Sequence, residues 1–301
     1  MNYKFDDMRI IIAEANPDVR RAILSVLKLN GFRNLSDAGD LGRLTELIGG
    51  DDPDLIMVDL ELPGGAPCDI IKAVREEKLG NDPFLPFVLI AETISHDNVG
   101  TVIDSGVDHV LKRPISTSAL LRRVRELIEN RKPFAVTHTY VGPDRRAKGR
   151  SDLIRDKLVI VPNKLRAKAH GDKIALKRIE KDLAQGKQAL KTVRVQRYGL
   201  SILNNVSELL ENVKAGHSEQ TVQLIGHSIE LMTEASQRLE GTRYEETVSE
   251  VFPALGQTLR SIQEKGLINE QDRAVLMPLS ASLAEVFVEE ETTEEDKSVA
   301  E

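Results

Sequence analysis

Asp59 is the residue best placed to do chemistry in this sequence. It follows a short, continuous apolar run at residues 55–58 and precedes a Pro-Gly turn at residues 63–64. Such a run is typical of a strand buried on both faces of a sheet. Its last residue emerges where open α/β sheets hold their chemical groups, at the carboxyl ends of the strands. The pattern therefore predicts a carboxylate site at that edge.

Four further apolar segments alternate with helical patterns and would place Asp59 in such a sheet. Strands are predicted at residues 9–13, 32–38, 55–59, 87–91 and 107–111. Helices are predicted at residues 17–30, 41–48, 69–78, 96–105 and 116–130. Five strands that alternate with five helices indicate a parallel sheet connected by right-handed crossovers.

Several short motifs occur in a characteristic order along this region. They are Glu-Ala-Asn-Pro-Asp at 14–18, Asp-Leu-Glu-Leu-Pro-Gly at 59–64, Ser-Gly-Val-Asp-His at 105–109 and Arg-Pro at 113–114. As a set they resemble the receiver domain of bacterial two-component response regulators, over residues 1–130. The resemblance implies a flavodoxin-like (βα)5 fold with strand order 2-1-3-4-5. It also implies that Asp59 accepts a phosphoryl group from a histidine kinase or a phosphotransfer protein.

The resemblance further implies a site for Mg²⁺, since phosphoryl transfer needs a cation to offset charge. Its ligands would be Glu14, Asp59 and the backbone carbonyl of Glu61. Ala15 stands where receivers carry a second acid, and the loss of that oxygen and charge should weaken the Mg²⁺ site.

Three other positions depart from the receiver pattern. Ala91 replaces a Ser or Thr hydroxyl, Arg113 replaces a lysine, and Val110 replaces an aromatic residue on the switch face. Arginine keeps the positive charge, but its planar fork does not reproduce the geometry of an ammonium group. Asp59 could therefore be phosphorylated in an altered pocket, or it could persist in a pseudo-receiver used for binding.

Composition limits the remaining options. The chain has 301 residues, enough for two domains, and a single cysteine, Cys68, which cannot form an internal disulfide. No apolar run approaches the roughly 20 residues of a membrane helix, and the first residues lack the form of a secretion signal. We therefore expect a cytoplasmic protein that does not enter a membrane.

The net charge of -7 is distributed unevenly. By residue count, residues 1–130 carry about -7, residues 131–197 about +13, and the rest about -13. Residues 131–172 are predicted to be a basic linker, in which Arg145, Arg146 and Arg150 could bind anions. The favoured interpretation is a strap on an acidic surface; a nucleic-acid contact is the alternative, although a helix-turn-helix signature is missing. The second element of a PilZ motif is also missing.

Residues 173–288 show apolar stripes at helical spacing and are predicted to form a bundle of four or five helices. The stripes are also typical of helices paired between chains, so a homodimer is an alternative. His227 lacks the surroundings of a phosphotransfer histidine, and no glycine-rich ATP motif occurs, so we expect no enzyme. Residues 289–301 are predicted to be a disordered acidic tail.

These patterns predict a non-enzymatic protein of a phosphorelay. Asp59 would receive a phosphoryl group or contact a kinase, and the helical module would signal to a downstream protein partner. Two alternatives remain: a scaffold that works without phosphorylation, and a nucleic-acid-binding regulator that uses the basic linker.

Overall fold

The computed structural model of the protein describes residues 3–146, 158–211 and 219–298, with side chains as far as residue 288. The chain divides into two compact units, Met1–Lys187 and Gln188–Glu301. The division lies within one long helix.

A five-stranded parallel sheet forms the centre of the first unit. Its strands are β1 (Arg9–Ala13), β2 (Asn34–Ala38), β3 (Leu55–Asp59), β4 (Phe87–Ala91) and β5 (His109–Lys112). The helices between and after them are α1 (Pro17–Leu29), α2 (Leu41–Gly50), α3 (Pro67–Arg75), α4 (His96–Asp104) and α5 (Thr117–Glu129). The strand order is β2-β1-β3-β4-β5, with every pair parallel. The predicted flavodoxin-like fold is confirmed.

Burial explains why the central strands read as continuous apolar runs. All residues of β3 and β4 are buried, because helices cover both faces of the sheet. One core lies between the sheet and α2, α3 and α4, and the other lies between the sheet and α1 and α5. The register places Asp59 opposite Ile90 at the carboxyl edge.

Side-chain caps fix where the helices beside that edge begin. The Asn16 carboxamide oxygen accepts hydrogen bonds from the backbone N–H groups of Asp18 and Val19, at 2.9 and 3.3 Å. The Ser116 hydroxyl accepts one from Ala119, at 3.1 Å. Such caps satisfy backbone donors that have no partner within the helix. They place the first turns of α1 and α5 next to the ends of β1 and β5.

Two strands begin later than the sequence predicts. Pairing of β1 with β2 starts at Asn34, because Phe32 turns into the core and stacks on Phe5 at a ring distance of 4.3 Å. β5 starts at His109 rather than at residue 107. Apolar character alone predicted both of the earlier starts, and it cannot separate a buried loop residue from a strand residue.

Residues 131–172, which we call the strap, differ from the expected linker. β6 (Phe134–Val136) and β7 (Val141–Pro143) form an antiparallel hairpin, and α6 (Lys164–His170) follows. Phe134 and Val159 exchange two backbone hydrogen bonds of 2.9 Å. Phe134, Val159 and Leu165 are fully or almost fully buried. The described parts of the strap therefore belong to the first unit, because they complete its core.

The long helix α7 (Lys173–Glu211) begins in the first unit. Its residue Gly186 is buried, and a Cβ atom there would lie 2.9 Å from the ring of Phe84. Glycine in a helix interior costs about 1 kcal/mol relative to alanine. The close approach of the Phe84 ring gives a reason for glycine at this position.

The second unit consists of helices in the part of the chain that the structure describes. It contains the end of α7 together with α8 (Glu219–Ser236), α9 (Glu245–Lys265) and α10 (Glu270–Ser298). Their apolar stripes meet in one core, where Tyr244 and Phe287 pack with ring centroids 4.9 Å apart. Asn269 caps the start of α10, because its side-chain oxygen accepts a hydrogen bond from the Asp272 N–H at 2.8 Å and the Asp272 carboxylate accepts one from the Asn269 N–H at 3.1 Å.

The acidic end of the chain also differs from expectation. α10 continues to Ser298, so most of the segment predicted to be a disordered tail is helical. Glutamate is a good helix former, and extending an existing helix is far easier than nucleating a new one. Within the described ranges, none of the helices has the length and apolar character needed to cross a membrane.

Candidate functional site

Three loops at the carboxyl edge of the sheet bring together the charged residues that the sequence singled out. Glu14 follows β1, Asp59 ends β3 and Arg113 follows β5. Arg113 is held in place by its backbone N–H, which donates to the Ala91 carbonyl at the end of β4 at 2.9 Å. We call Glu14, Asp59 and Arg113 the acidic pocket.

One guanidinium nitrogen links both carboxylates of the acidic pocket. Nη2 of Arg113 donates to Oε2 of Glu14 in a short contact and lies 3.0 Å from Oδ2 of Asp59. The other oxygen of Glu14, Oε1, accepts from the Asn16 backbone N–H at 2.9 Å. The Glu14 side chain is only 2% exposed and that of Asp59 is 10% exposed, whereas Arg113 is 25% exposed. Asp59 therefore lies near the mouth of the pocket and Glu14 at its base.

The two carboxylates change the proton affinity of the arginine. Burial lowers the pKa of Arg113, but the charges of Asp59 and Glu14 and the hydrogen bonds to them raise it more, so the net shift is upward. The guanidinium is thus a permanent positive charge between two acids.

Arg20 is a neighbour of the pocket that sequence reasoning missed. Its Nη1 donates to the backbone carbonyl of Glu14, at 2.5 Å, and its Nε pairs with Asp37 at 2.8 Å. Arg20 thereby fixes the loop after β1 in which Ala15 lies. A surface-like arginine in the first turn of a helix gives no sequence signal of such a role.

The structure also describes the other four positions that the resemblance singles out. Ala15 is exposed beside the pocket, Ala91 is buried at the end of β4, and Glu61 is exposed after Asp59. Val110 is half-buried in β5, paired with Leu89, and packs against the core on that face. None of these four side chains supplies a hydroxyl or aromatic group to a switch.

The donor set does not fit a divalent cation as it stands. Glu14 and Asp59 supply two carboxylates, but Arg113 engages an oxygen of each. Among the described residues, no group of three His, Cys, Asp or Glu side chains could hold a metal. Mg²⁺ requires near-octahedral oxygen coordination at about 2.0–2.1 Å. The guanidinium would have to leave before these oxygens could provide it.

An apolar groove opens beside Arg113, between α1 and the start of α5. Its volume is about 540 Å³, and its lining residues are Val19, Ala22, Ile23, Val26, Glu92, Arg113, Pro114, Ile115, Thr117 and Leu120. Exposed apolar surface next to a charged site is a common feature of protein interaction sites.

Of the three arginines expected to bind anions, the two that the structure describes contact other groups of the protein. Nη2 of Arg145 donates to the Val107 carbonyl, and Arg146 pairs with Asp144 at 2.9 Å. Arg150 lies outside the described residues. These contacts do not favour nucleic-acid binding, because they reduce the positive charge available to phosphates.

A second polar cluster lies at the opposite, amino ends of the strands. Arg75, only 1% exposed, donates to the carbonyls of Pro83, Leu85 and Gly106 at 2.7–3.0 Å. Its Nη2 pairs with Asp108 at 2.9 Å. We call Arg75 and Asp108, with the rings described next, the amino-end cluster.

The strap covers this cluster. The guanidinium carbon of Arg75 lies 5.0 Å from the Phe134 ring of β6 and 5.3 Å from the Phe87 ring of β4. In the loop before β3, Asp54, whose side chain is fully buried, pairs with Lys168 of α6. A cation between aromatic rings and a buried ion pair are both sensitive to the loss of one partner. The described part of the strap therefore packs on the first unit, and its Lys168 pairs with an acidic residue there.

A 2-1-3-4-5 parallel sheet with an acidic residue after β1, another at the end of β3 and a cation after β5 is the arrangement that the resemblance to receiver domains implies. Residues 10–125 match the family of response regulator receiver domains, so this region of the chain belongs to that family. Receiver domains are generally signalling domains rather than enzymes, and they interact with histidine kinases or phosphotransfer proteins of two-component phosphorelays.

Curated relatives and solved structures resemble the same region. The phosphate regulon transcriptional regulatory protein PhoB of Escherichia coli is 27% identical over 128 residues, covering 42% of this chain and 55% of PhoB. The chemotaxis protein CheY of Pseudomonas aeruginosa is 24% identical, covering 40% of this chain and 97% of CheY. A receiver-domain structure from Bermanella marisrubri is 22% identical, covers 40% of this chain and 98% of its own, and has a TM-score of 0.36. The chain spans only about half the length of PhoB.

Proposed function

We propose that the protein is a non-enzymatic component of a cytoplasmic phosphorelay in which Asp59 receives the phosphoryl group. The donor would be a histidine kinase or a phosphotransfer protein, and the helices of the second unit would contact the downstream protein. The observation that carries the proposal is the position of Asp59, near the mouth of a buried pocket with its Oδ2 atom 3.0 Å from Nη2 of Arg113.

The reaction would transfer a phosphoryl group between two nucleophiles. The phosphorus–nitrogen bond of a phosphohistidine breaks, a bond from phosphorus to an oxygen of Asp59 forms, and the released imidazole takes up a proton. Arg113 would then face a phosphoryl group that carries more negative charge than the carboxylate it replaces. Arginine binds phosphate oxygens in a bidentate manner, so its contact with Glu14 would weaken as the new contact forms. That exchange is a two-state element of the kind that signalling needs.

The groove along α1 supports docking of the donor. Its apolar residues border Arg113, so a helix placed there would bring a histidine near Asp59. Ala22→Glu, which adds a charge to the groove, should slow transfer from the donor protein but not from acetyl phosphate. Ser25→Glu adds the same charge to an exposed site of the same helix outside the groove and is the matched control. Equal effects of the two substitutions would count against docking in the groove.

The central test is Asp59-dependent labelling. The full chain, Asp59→Ala and the control Asp69→Asn, which changes an exposed carboxylate of α3, are incubated with a phosphorylated donor protein or with acetyl phosphate. We expect label on the wild type and on the control, and none on Asp59→Ala. Label that persists in Asp59→Ala, or is missing from the wild type, would refute phosphorylation at this residue.

A pseudo-receiver is the second candidate, and one observation favours it. Arg113 neutralises charge on both Glu14 and Asp59, while Ala15 and Ala91 remove two groups of the usual receiver pocket. In that case the pocket would be structural and the first unit would bind a partner without phosphorylation. Asp59→Asn should then leave partner binding and cellular function unchanged, whereas a signalling defect in that variant would exclude a purely structural pocket.

A further inference from the structure

The charge balance of the acidic pocket differs from that of a metal site. Two carboxylates face one guanidinium, which leaves a net charge of about one negative unit if the three groups are ionised. Ala15 adds no oxygen, and Arg20 binds the backbone on the same loop. Divalent cations bind more weakly as the negative charge and the number of ligands fall.

Geometry adds a steric argument. Nη2 of Arg113 touches Oε2 of Glu14 and lies 3.0 Å from Oδ2 of Asp59. A Mg²⁺ ion bound to both oxygens would need to lie about 2.0–2.1 Å from each. That position falls in the space taken by Nη2, so the ion and the guanidinium cannot both contact the same two oxygens.

We propose that Arg113 is the resident cation of this pocket and that it excludes Mg²⁺ while it bridges Glu14 and Asp59. Arg113 is then a positioning residue that holds both carboxylates in one arrangement whatever the concentration of divalent ions. This inference concerns the same pocket as the proposed function, but it does not require that Asp59 be phosphorylated.

Binding of the metal itself tests the proposal. Titration calorimetry with Mg²⁺, and with Mn²⁺ as a second probe, compares the full wild-type chain, Ala15→Asp, and Ala15→Asp combined with Arg113→Gln. Ala15→Asp combined with Lys112→Gln is the matched control, because Lys112 is exposed and adjacent in sequence. We expect the Arg113 double variant to bind at least about tenfold more tightly than Ala15→Asp alone, since removing a positive charge a few ångströms away has an effect of that size. The Lys112 variant should differ little from Ala15→Asp.

A rescue experiment covers the case in which the double variant folds poorly. Arg113→Gln leaves the buried Glu14 carboxylate without its cation, so its melting temperature should fall, and Mg²⁺ should restore part of the loss by binding the folded state. Wild type and Lys112→Gln, compared at equal ionic strength, should show no such response. Mg²⁺ binding to Ala15→Asp as tight as to the Arg113 double variant, or a melting temperature equally responsive in wild type and Arg113→Gln, would overturn the proposal. Neither readout depends on phosphoryl transfer, so failure here is distinguishable from failure of Asp59 labelling.

Discussion

An arginine lies at each end of the five-stranded sheet, and the two arginines have different surroundings. At the carboxyl end, Arg113 is a quarter exposed and contacts two carboxylates from separate loops. At the amino end, Arg75 is almost fully buried, donates to three backbone carbonyls and one carboxylate, and lies between two aromatic rings. The contacts of Arg113 can rearrange when the charge on one of its two carboxylates changes. The contacts of Arg75 are mostly to backbone carbonyls, whose charge does not change, so they are either all present or broken. The contrast separates a site suited to signalling from a site that holds the strap.

The largest loss of stability is expected from a substitution in the amino-end cluster. Arg75→Met leaves Asp108 buried without its cation and three carbonyls without a donor, which should lower the free energy of unfolding by about 3–5 kcal/mol. Denaturant unfolding of the full chain measures the loss. Lys72→Met, on an exposed part of the same helix, should change stability by less than about 0.5 kcal/mol. Equal losses of unfolding free energy in Arg75→Met and Lys72→Met would show that Arg75 does not have this structural role.

The next effect concerns the contact of the strap with the turn before β5. A Cβ atom on Gly142 would lie 2.6 Å from the Cα of Gly106 and 2.6 Å from the hydroxyl of Tyr140, so Gly142→Ala should cost about 1–3 kcal/mol. Gly49→Ala is the control, since nothing lies within 4 Å of its Cβ position in α2. That change should raise stability by up to about 1 kcal/mol. If both Gly142→Ala and Gly49→Ala raised stability, the hairpin would not pack against the turn before β5 as described.

Asp59→Asn should change stability less, but the sign of the change tests whether Arg113 pairs with Asp59. In a pocket of unpaired acids, neutralising one carboxylate relieves repulsion and stabilises the fold. Here Arg113 pairs with Asp59, so Asp59→Asn should lower the free energy of unfolding by about 1–2 kcal/mol. Asp69→Asn, the exposed control, should leave it nearly unchanged. A stabilised Asp59→Asn variant would indicate that the guanidinium does not bridge the carboxylates in solution.

The smallest effect concerns the pairing of α6 with the loop before β3. Lys164 lies 2.6 Å from Asp52 and 3.2 Å from Asp54. Burial lowers the pKa of Lys164, but the two carboxylates raise it more, so the folded value lies above the unfolded one. The stabilisation, about 1 kcal/mol or less, is thus complete below about pH 10 and lost as pH rises further. The stability difference between wild type and Lys164→Met should therefore be constant from about pH 7 to 10 and shrink above, whereas exposed Lys28→Met should give no difference.

Sequence patterns predicted the sheet well because its strands are locally encoded. The apolar runs before Asp59 and at 87–91 are continuous, as burial on both faces requires, and the Arg-Pro motif at 113–114 located the pocket cation. The metal ligands were predicted by resemblance alone. The bridge from Arg113 to both Glu14 and Asp59 could not be predicted, because it depends on which way a long side chain turns between three loops.

The hairpin and the buried residues of the strap were not predicted, for a different physical reason. Phe134, Val136, Val141 and Val159 have no regular spacing, and turn residues separate them, so the segment reads as a linker. Each of them is buried by contacts with distant parts of the first unit rather than by a local period. Arg75 was missed similarly, since a buried arginine in a short amphipathic helix looks like any surface arginine.

The ring of Phe84 has a consequence for moving this receiver between proteins. It packs edge-on against Phe134, at a ring distance of 5.4 Å, and it fills the space that a side chain at Gly186 would need. A chimaera that joined residue 125, where the family match ends, to a foreign output domain would leave that ring facing water. A junction after residue 187 would carry the ring together with both of its covering segments.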